Sequence, residues 1–389
     1  MRDSERIVTL DILRGLALFG MILVHFHQKM ETEAAGNLEG LIGWIVWMGV
    51  ETKAWATFAI LFGAGFAILM RRAEARGRRV VPLFLRRMLA LAAIGIGVFS
   101  LFGFQILLDY AIWGVALLFV RNWSTRALLA LMIFSAVSVT AYGVARSAAA
   151  ISRLGPERAA VEAKERQKAG AEKWKALRTA EAEGSYVDAV TARLTHMRWW
   201  YLRREALIPS SDLVLFIVGV LAIRHGIFDD PRRKRRVILM AMSVGLVSWA
   251  AAWWVLPKIP EDIAIGGVPV PFRSGLGIVN DQWLALTYVG AVTLMLAYAP
   301  VWKRRLSAFG TAGRMALTNY VMQAALISWL ASGYGLGLQI RPYYVVLATL
   351  IVFTTLAALS RLWFSHLRYG PLEWVWRSLT YGEWRPITK

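Results

Sequence analysis

The chain has 389 residues, of which 57% are hydrophobic, and a formal net charge of +20. Its mean hydropathy of +0.49 is too high for a soluble domain of this length, and its basic residues alternate with apolar segments instead of forming the continuous patch of a nucleic-acid-binding protein. The absence of cysteine excludes disulfide bonds, thiolate metal sites and a cysteine nucleophile.

Apolar segments long enough to cross a bilayer recur along the whole chain. They predict an all-α fold, a polytopic transmembrane helical bundle of about ten spans embedded in a lipid bilayer, with a first helix that is retained and not cleaved as a signal peptide. The shorter apolar segment 41–50 is predicted to be re-entrant or interfacial. The predicted spans are 7–27, 54–70, 88–103, 109–120, 127–145, 209–223, 237–256, 282–300, 312–331 and 343–361.

The distribution of Lys and Arg predicts the orientation of the bundle. If both termini are cytoplasmic, the cytoplasmic segments hold 25 Lys and Arg and the short outer segments hold 5. Cytoplasmic loops of membrane proteins carry such an excess of positive charge. We therefore expect both termini in the cytoplasm and an even number of spans.

One long segment looks soluble and divides the membrane helices into two groups of five. Residues 157–183 are rich in Ala, Glu, Lys and Arg, which favour a helix. Gly184 and Ser185 break this pattern, and 186–204 predicts a second helix lying on the outer membrane interface. The hairpin is either a solvated charged loop or a lid or platform for a substrate. The predicted domains are 1–150, 151–206 and 207–389, the last with a cytoplasmic amphipathic tail.

The first span carries three ionisable residues in an otherwise apolar segment, Asp11, Arg14 and His25. Ionisable groups are costly in lipid, so they usually face a protein interior or a wet cavity. Arg14 and His25 share one helix face about 16 Å apart, and Asp11 is placed one turn before Arg14 to pair with it, whereas His27 points away. The alternatives are a structural ion pair and a helix-end histidine bonded to a carbonyl.

The motif Leu-Asp-Ile-Leu-Arg-Gly-Leu at residues 10–16, followed by His25, resembles the opening helix of membrane acyltransferases that acetylate bacterial surface polysaccharides. In those enzymes a catalytic histidine follows at this spacing. The rest of the chain is more similar to the YeiB-like family of bacterial inner-membrane proteins, a domain of unknown function grouped with these acyltransferases. The resemblance implies a multi-pass protein of the bacterial cytoplasmic (inner) membrane. The matching segments are 61–66, 184–186, 313–320 and 370–382.

The resemblance implies transfer of an acyl group, such as acetyl, from a cytoplasmic coenzyme A thioester to an exported glycan, lipid or small-molecule acceptor. This reaction needs a base for the acceptor's proton, a role that suits histidine. His25 is then the base, lining a cavity that opens outwards, with Arg14 and Asp11 as the supporting pair. Acyl-CoA is the expected co-substrate, and no metal or nucleic acid is expected. The alternatives are a transporter or flippase that uses the same polar cavity and a structural or sensory membrane protein.

Arginines at the cytoplasmic helix ends are candidates for binding the phosphates of coenzyme A. We assign this role to Arg86, Arg87 and Arg314. The alternative is control of topology together with contacts to anionic lipids. The glycine-rich segment 61–65 lies within a span, so it predicts close helix packing and not a phosphate-binding loop.

Three polar side chains in or beside the predicted spans are assigned to substrate binding. Asn319 and Gln323 are four residues apart and face one way, which makes them a candidate polar wall of the cavity. Asp109 lies at an outer helix end and is a candidate rim residue. The alternatives are hydrogen bonds that join neighbouring helices for the first two and a helix cap for Asp109.

Overall fold

The structure is a computed structural model, and it is almost entirely helical. The small exception is an antiparallel hairpin in which Asp262 pairs with Pro271 and Ile265 with Val268. The structure describes residues 8–32, 36–77, 79–203, 206, 208, 211–260, 262–265, 268–271, 273–384 and 386–389.

The helices follow the chain as sixteen α-helical elements, with the hairpin strands between α10 and α11. They are α1 Val8–Met30, α2 Asn37–Val46, α3 Thr52–Glu74, α4 Val80–Phe102, α5 Leu107–Val120, α6 Thr125–Leu154, α7 Pro156–Glu183, α8 Tyr186–Tyr201, α9 Ser211–Arg224, α10 Arg235–Val255, β1 Asp262–Ile265, β2 Val268–Pro271, α11 Arg273–Tyr298, α12 Val301–Arg305, α13 Ser307–Arg314, α14 Ala316–Ala331, α15 Pro342–His366 and α16 Pro371–Tyr381.

Five helical stretches among the described residues are long and apolar enough to cross a membrane. A sixth is α6 if its two halves, which meet at an angle of 49°, form one span. Several other apolar helices, such as α5 and 282–298, are shorter. The protein is therefore a multipass membrane protein, while ten spans and cytoplasmic termini stay predictions. The five stretches are Val8–Met30, Asn37–Glu74, Val80–Phe102, Arg235–Lys258 and Pro342–His366.

Two of the predicted segments have a different structure. Segment 41–50 is not a separate re-entrant piece, because a π-helical turn at Trp47–Glu51 joins α2 to α3 in one helical stretch. Such a turn accommodates an extra residue without ending the helix. The predicted span 312–331 is instead broken at Met315, whose φ of −113° and ψ of 32° end α13 before α14 begins.

Helix α1 lies at the centre of the bundle and packs against α3, α13, α14 and α15. Its contact with α13 depends on Gly15, because a methyl group there would overlap the backbone carbonyl of Phe309. Helices α3 and α9 approach equally closely at Gly63, where a methyl group would overlap the carbonyl of Phe216. Small residues allow such close approach of membrane helices. The predicted packing role is confirmed for Gly63.

Helices α7 and α8 form a hairpin whose break lies at the predicted position. The Ser185 hydroxyl accepts a hydrogen bond from the backbone N–H of Asp188, and the Asp188 carboxylate accepts one from the Ser185 N–H, so the two residues make a capping box. This arrangement starts α8 directly after the end of α7. Nζ of Lys29, near the end of α1, donates to Glu181 of α7, and this contact holds the hairpin to α1.

Candidate functional site

The polar face of α1 begins with an ion pair. Nη1 of Arg14 donates to Oδ1 of Asp11 over 2.8 Å, as their spacing predicts. The Asp11 side chain is buried, and about a third of the Arg14 side chain is exposed. Arg14 is therefore paired with a residue of its own helix, and its side chain remains partly exposed.

His25 lies three helical turns further along, and it is almost completely buried, with 5% of its surface exposed. Its Nδ1 is 3.2 Å from Oε1 of Gln323 on α14. Its ring packs on Phe104, with 4.1 Å between the ring centroids, and faces Tyr320 at 6.1 Å. The prediction that His25 lines an outward-opening cavity is not met in this structure, because Phe104, in the loop between α4 and α5, covers the ring. His27 points elsewhere and contacts Glu31.

A cavity of about 260 Å³ lies between α1, α3, α4, α5, α13, α14 and α16. Four guanidinium groups line it, and we call it the arginine cavity. Glu373 is the one carboxylate among its lining residues. Phenylalanines of α3 and α4 form much of its apolar wall, and Tyr110 and Tyr320 line it further along α5 and α14. Its arginines are Arg14, Arg87, Arg314 and Arg377.

The arginines are held mainly by aromatic rings. The guanidinium of Arg87 lies 3.5 Å from the Trp376 ring centroid, and Nε1 of Trp376 donates to the Arg87 carbonyl oxygen over 2.9 Å. Arg314 lies 4.2 Å from the ring centroid of Phe364, and its buried Nε has no hydrogen-bond partner among the described residues. Across the part of the chain that the structure describes, neither these two arginines nor Arg377 makes an ion pair. The cavity lining therefore carries an excess of positive charge, which suits an anionic ligand.

Among the described residues, Glu373 makes no ion pair with these arginines and is bound instead to the start of α14. Its Oε1 accepts the backbone N–H of Leu317 (2.7 Å) and of Thr318 (3.1 Å), and its Oε2 accepts the Thr318 hydroxyl (2.6 Å). Burial raises the pKa of Glu373, and these hydrogen bonds oppose the rise. The same contacts explain the break at Met315, since they supply acceptors for the N–H groups of a new helix start.

The structure brings some of the predicted phosphate-binding residues together and separates others. Arg87 and Arg314, which are far apart in sequence, both line the arginine cavity beside Arg14. Arg86 is exposed near Gly382 and does not line it. Successive residues of a helix point about 100° apart, so only one of the two neighbouring arginines faces the cavity.

Gln323 and Asn319, both predicted to bind a substrate, make different contacts. Gln323 contacts His25, whereas the Asn319 amide donates to the Ala312 carbonyl (3.1 Å) and to the Ser360 hydroxyl (2.9 Å). Asn319 thus joins α14 to α13 and α15, which is the interhelical role of many polar residues in membranes. It does not line the arginine cavity.

Asp109 lies away from the arginine cavity in a separate hydrogen-bonded group. The Tyr201 hydroxyl donates to Asp109 over 2.7 Å, and the Gln105 amide donates to the same carboxylate over 3.3 Å. Tyr201 is at the end of α8, so these bonds join the hairpin to the start of α5. The contacts link structural elements, and the substrate-binding role of Asp109 stays a prediction.

Sequence reasoning missed the residues that α16 contributes, Glu373, Trp376 and Arg377. Their spacing of three and four residues puts them on one face of an amphipathic helix. This amphipathic pattern is visible in the C-terminal segment. The residue of α4 that α16 contacts cannot be read from it, because Arg87, which binds Trp376, lies almost 290 residues away. Tyr320 was also missed, because nothing in an apolar span distinguishes this tyrosine from one that is only packed.

Comparisons with known proteins match two parts of the chain to family models. Residues 6–151 match the catalytic domain of heparan-alpha-glucosaminide N-acetyltransferase. Residues 222–383 match a family described as a protein of unknown function, DUF418. The first match holds Asp11, Arg14 and His25, and the second holds Gln323 and the α16 residues.

Relatives align over almost their whole lengths. The uncharacterized protein YxaH of Bacillus subtilis is 28% identical over 99% of this chain and 97% of its own length. An uncharacterized protein from the amylase 3′ region of Bacillus acidopullulyticus is 27% identical over 99% of this chain and 96% of its own length. The uncharacterized protein YeiB of Escherichia coli is 25% identical over 97% of this chain and 96% of its own length. These matches confirm the predicted resemblance to the YeiB-like family and its relation to membrane acyltransferases.

Proposed function

We propose, from the similarity of this multipass membrane protein to the YeiB-like family and to an N-acetyltransferase catalytic domain, that it is an acyltransferase of the bacterial inner membrane. It takes an acyl group from a coenzyme A thioester and gives it to an exported glycan, lipid or small molecule. One observation carries the proposal. The arginine cavity reaches Tyr320, and one turn further along α14 Gln323 contacts His25.

The arginine cavity supports the binding of the acyl donor. Arg87, Arg314 and Arg377 supply guanidinium groups that are free of ion pairs among the described residues, and such groups bind phosphates through strong, charge-assisted hydrogen bonds. We place the pantetheine arm of the donor in this cavity of about 260 Å³ and the diphosphate at its arginines. The adenosine of coenzyme A then stays outside, towards the predicted cytoplasmic surface.

The contact of His25 with Gln323 supports a role as general base. A carbonyl oxygen at Nδ1 favours the tautomer in which Nδ1 carries the proton, because the oxygen can only accept. Nε2 is then free to take a proton from the acceptor. As the acceptor's oxygen or nitrogen bonds to the acyl carbon, its proton passes to His25. The C–S bond then breaks, and the coenzyme A thiolate leaves and takes up that proton.

Purified protein in lipid vesicles with radiolabelled acetyl-CoA tests this proposal, with transfer measured to glycan and amine acceptors. His25→Ala should lower the rate at least about a hundredfold and leave the fold intact, since a positioned base contributes roughly that factor. His27→Ala is the matched control, because His27 lies on another face and contacts Glu31. Full activity in the His25→Ala protein would contradict the proposal.

A transporter or flippase is the second candidate. The observation that favours it is that Phe104 covers His25 and that the His25 ring does not line the arginine cavity. An anionic ligand bound at the arginines would then be moved without being altered. Transport of labelled acyl-CoA or lipid phosphate across vesicles, with no acylated product, would favour this function over acyl transfer.

A further inference from the structure

Among the residues that the structure describes, two buried polar groups next to His25 have no hydrogen-bond partner. They are the hydroxyl of Tyr320 and the side-chain nitrogen of Gln323. The exposed fractions of Tyr320 and Gln323 are 5% and 0%, so bulk water does not supply the missing hydrogen bonds. Buried polar groups in proteins are nearly always hydrogen-bonded, and an unpaired donor costs about 1–3 kcal/mol. An unpaired buried donor beside a cavity is therefore a candidate contact for a ligand.

The two groups lie on the same side of α14. Tyr320 and Gln323 are three residues apart on α14, so their side chains leave the helix on the same side. Tyr320 lines the arginine cavity, and Gln323 uses its oxygen to contact His25, which leaves its amide hydrogens unused. Both groups can donate a hydrogen bond. They therefore lie between the cavity that would hold the donor and the residue that would act as base.

We propose that the Tyr320 hydroxyl and the Gln323 amide form a donor pair that binds the carbonyl oxygen of the acyl thioester. This inference rests on the proposed acyl transfer. When the acceptor attacks, a bond forms to the acyl carbon and the C=O electron pair moves onto the oxygen. The two donors stabilise that negative charge until the C–S bond breaks and the C=O bond forms again. Preorganised donors of this kind each contribute about a hundred- to a thousandfold to the rate of acyl transfer.

Tyr320→Phe tests the inference, because it removes only the hydroxyl. The turnover number should fall about a hundredfold or more, while the KM for acetyl-CoA and the thermal unfolding temperature stay close to those of the parent. Tyr288→Phe is the control, since its hydroxyl donates to the Gly49 carbonyl outside the cavity. If Tyr320→Phe fails to fold, Gln323→Glu is the second variant, because it keeps an oxygen for His25, removes the amide donor and adds a negative charge that opposes charge on the carbonyl oxygen. A turnover number unchanged in the folded variant would overturn the donor pair.

A second measurement separates this inference from the proposed function. The infrared stretching frequency of acetyl-CoA labelled with ¹³C at its carbonyl reports hydrogen bonding to that oxygen without requiring turnover. We expect a lower frequency in the bound than in the free molecule, and a smaller shift with Tyr320→Phe. If the parent protein binds the label with this shift but transfers nothing, the donor pair stands and the acyltransferase proposal fails. If the parent transfers acetyl groups and neither variant alters the shift or the turnover number, the donor pair alone fails.

Discussion

Nδ1 of His25 and Oε1 of Gln323 lie 3.2 Å apart, although 298 residues separate them in the chain. This contact joins α1, within the segment that matches an N-acetyltransferase catalytic domain, to α14, within the segment that matches DUF418. The arginine cavity is shared in the same way, since Arg14 and Arg87 come from the first segment and Arg314 from the second. Neither segment alone builds the candidate site, which agrees with relatives that align over nearly the whole chain.

The arginine cavity predicts a charge-dependent affinity for acyl-CoA. Arg314→Gln removes a guanidinium that faces the cavity without an ion-pair partner among the described residues. The Kd for acetyl-CoA should rise at least about tenfold, since a hydrogen bond to a charged group contributes about 1.5–3 kcal/mol. Arg86→Gln, on the exposed side of α4, should leave the Kd nearly unchanged. Equal effects of the two substitutions, measured by calorimetry in detergent, would point to general attraction by the basic surface.

The ion pair between Asp11 and Arg14 predicts coupled effects on stability. Arg14→Ala leaves the buried Asp11 carboxylate without this partner, and Asp11→Asn weakens the hydrogen bond of 2.8 Å. Each should lower the free energy of unfolding by roughly 1.5–3 kcal/mol. The double variant should lose less than the sum, because only the first change breaks the bond. Additive losses in denaturant unfolding would show that the pair contributes nothing of its own.

The glycine-rich segment of α3 provides a matched pair of substitutions. Gly63→Ala puts a methyl group into the carbonyl of Phe216 and forces α3 and α9 apart, whereas a methyl group at Gly65 meets no atom within 4 Å. Gly63→Ala should lower the free energy of unfolding by about 1–3 kcal/mol, the usual range for overpacking. Gly65→Ala should be neutral or slightly stabilising. Thermal unfolding in detergent measures both, and equal stability of the two would contradict the close helix contact.

The features that sequence reasoning predicted are local ones. The pairing of Asp11 with Arg14 follows from helix periodicity, and the break between α7 and α8 follows from the chemistry of Gly184 and Ser185. The break at Met315 was missed because its cause is Glu373, a residue of α16 that caps α14. Contacts between distant segments depend on how the helices pack, and helix periodicity within one segment carries no information about them.

Orientation in the membrane can be tested directly, because the chain contains no cysteine. Single cysteines at Arg76 and Ala171, both exposed, can be labelled with a membrane-impermeant maleimide in intact cells. The excess of Lys and Arg in the predicted cytoplasmic segments puts Arg76 inside and the hairpin outside. We expect labelling at 171 in intact cells and at 76 only after permeabilisation. The reverse pattern would overturn the predicted topology.

Glu181 predicts how the hairpin responds to pH. Its carboxylate accepts from Nζ of Lys29 at 2.7 Å and from Nε of Arg193 at 2.8 Å, and Arg193 also donates to the Leu101 carbonyl. Burial alone would raise the pKa of Glu181, but the two cations outweigh it and lower the pKa. The hairpin is thereby held to the end of α1, four residues beyond His25.

The sign of the pH effect follows from that lowered pKa. The folded state favours the ionised carboxylate, so its contribution to stability is complete above the ordinary glutamate pKa of about 4.3 and is lost as the pH falls through the lower folded value. Protection of hairpin amides in hydrogen exchange should stay constant from about pH 8 to about pH 6, after correction for intrinsic rates, and fall below about pH 4.

Glu181→Gln and Asp188→Asn identify the group responsible. Glu181→Gln should lower the protection of the hairpin at neutral pH and remove most of its dependence on acid, because the ion pairs are already gone. Asp188 also has a lowered pKa, caused by its hydrogen bonds with Ser185, so Asp188→Asn controls for the capping box at the start of α8. Loss of protection already between about pH 7 and about pH 6 would instead implicate a histidine, because histidine is the side chain that ordinarily titrates there.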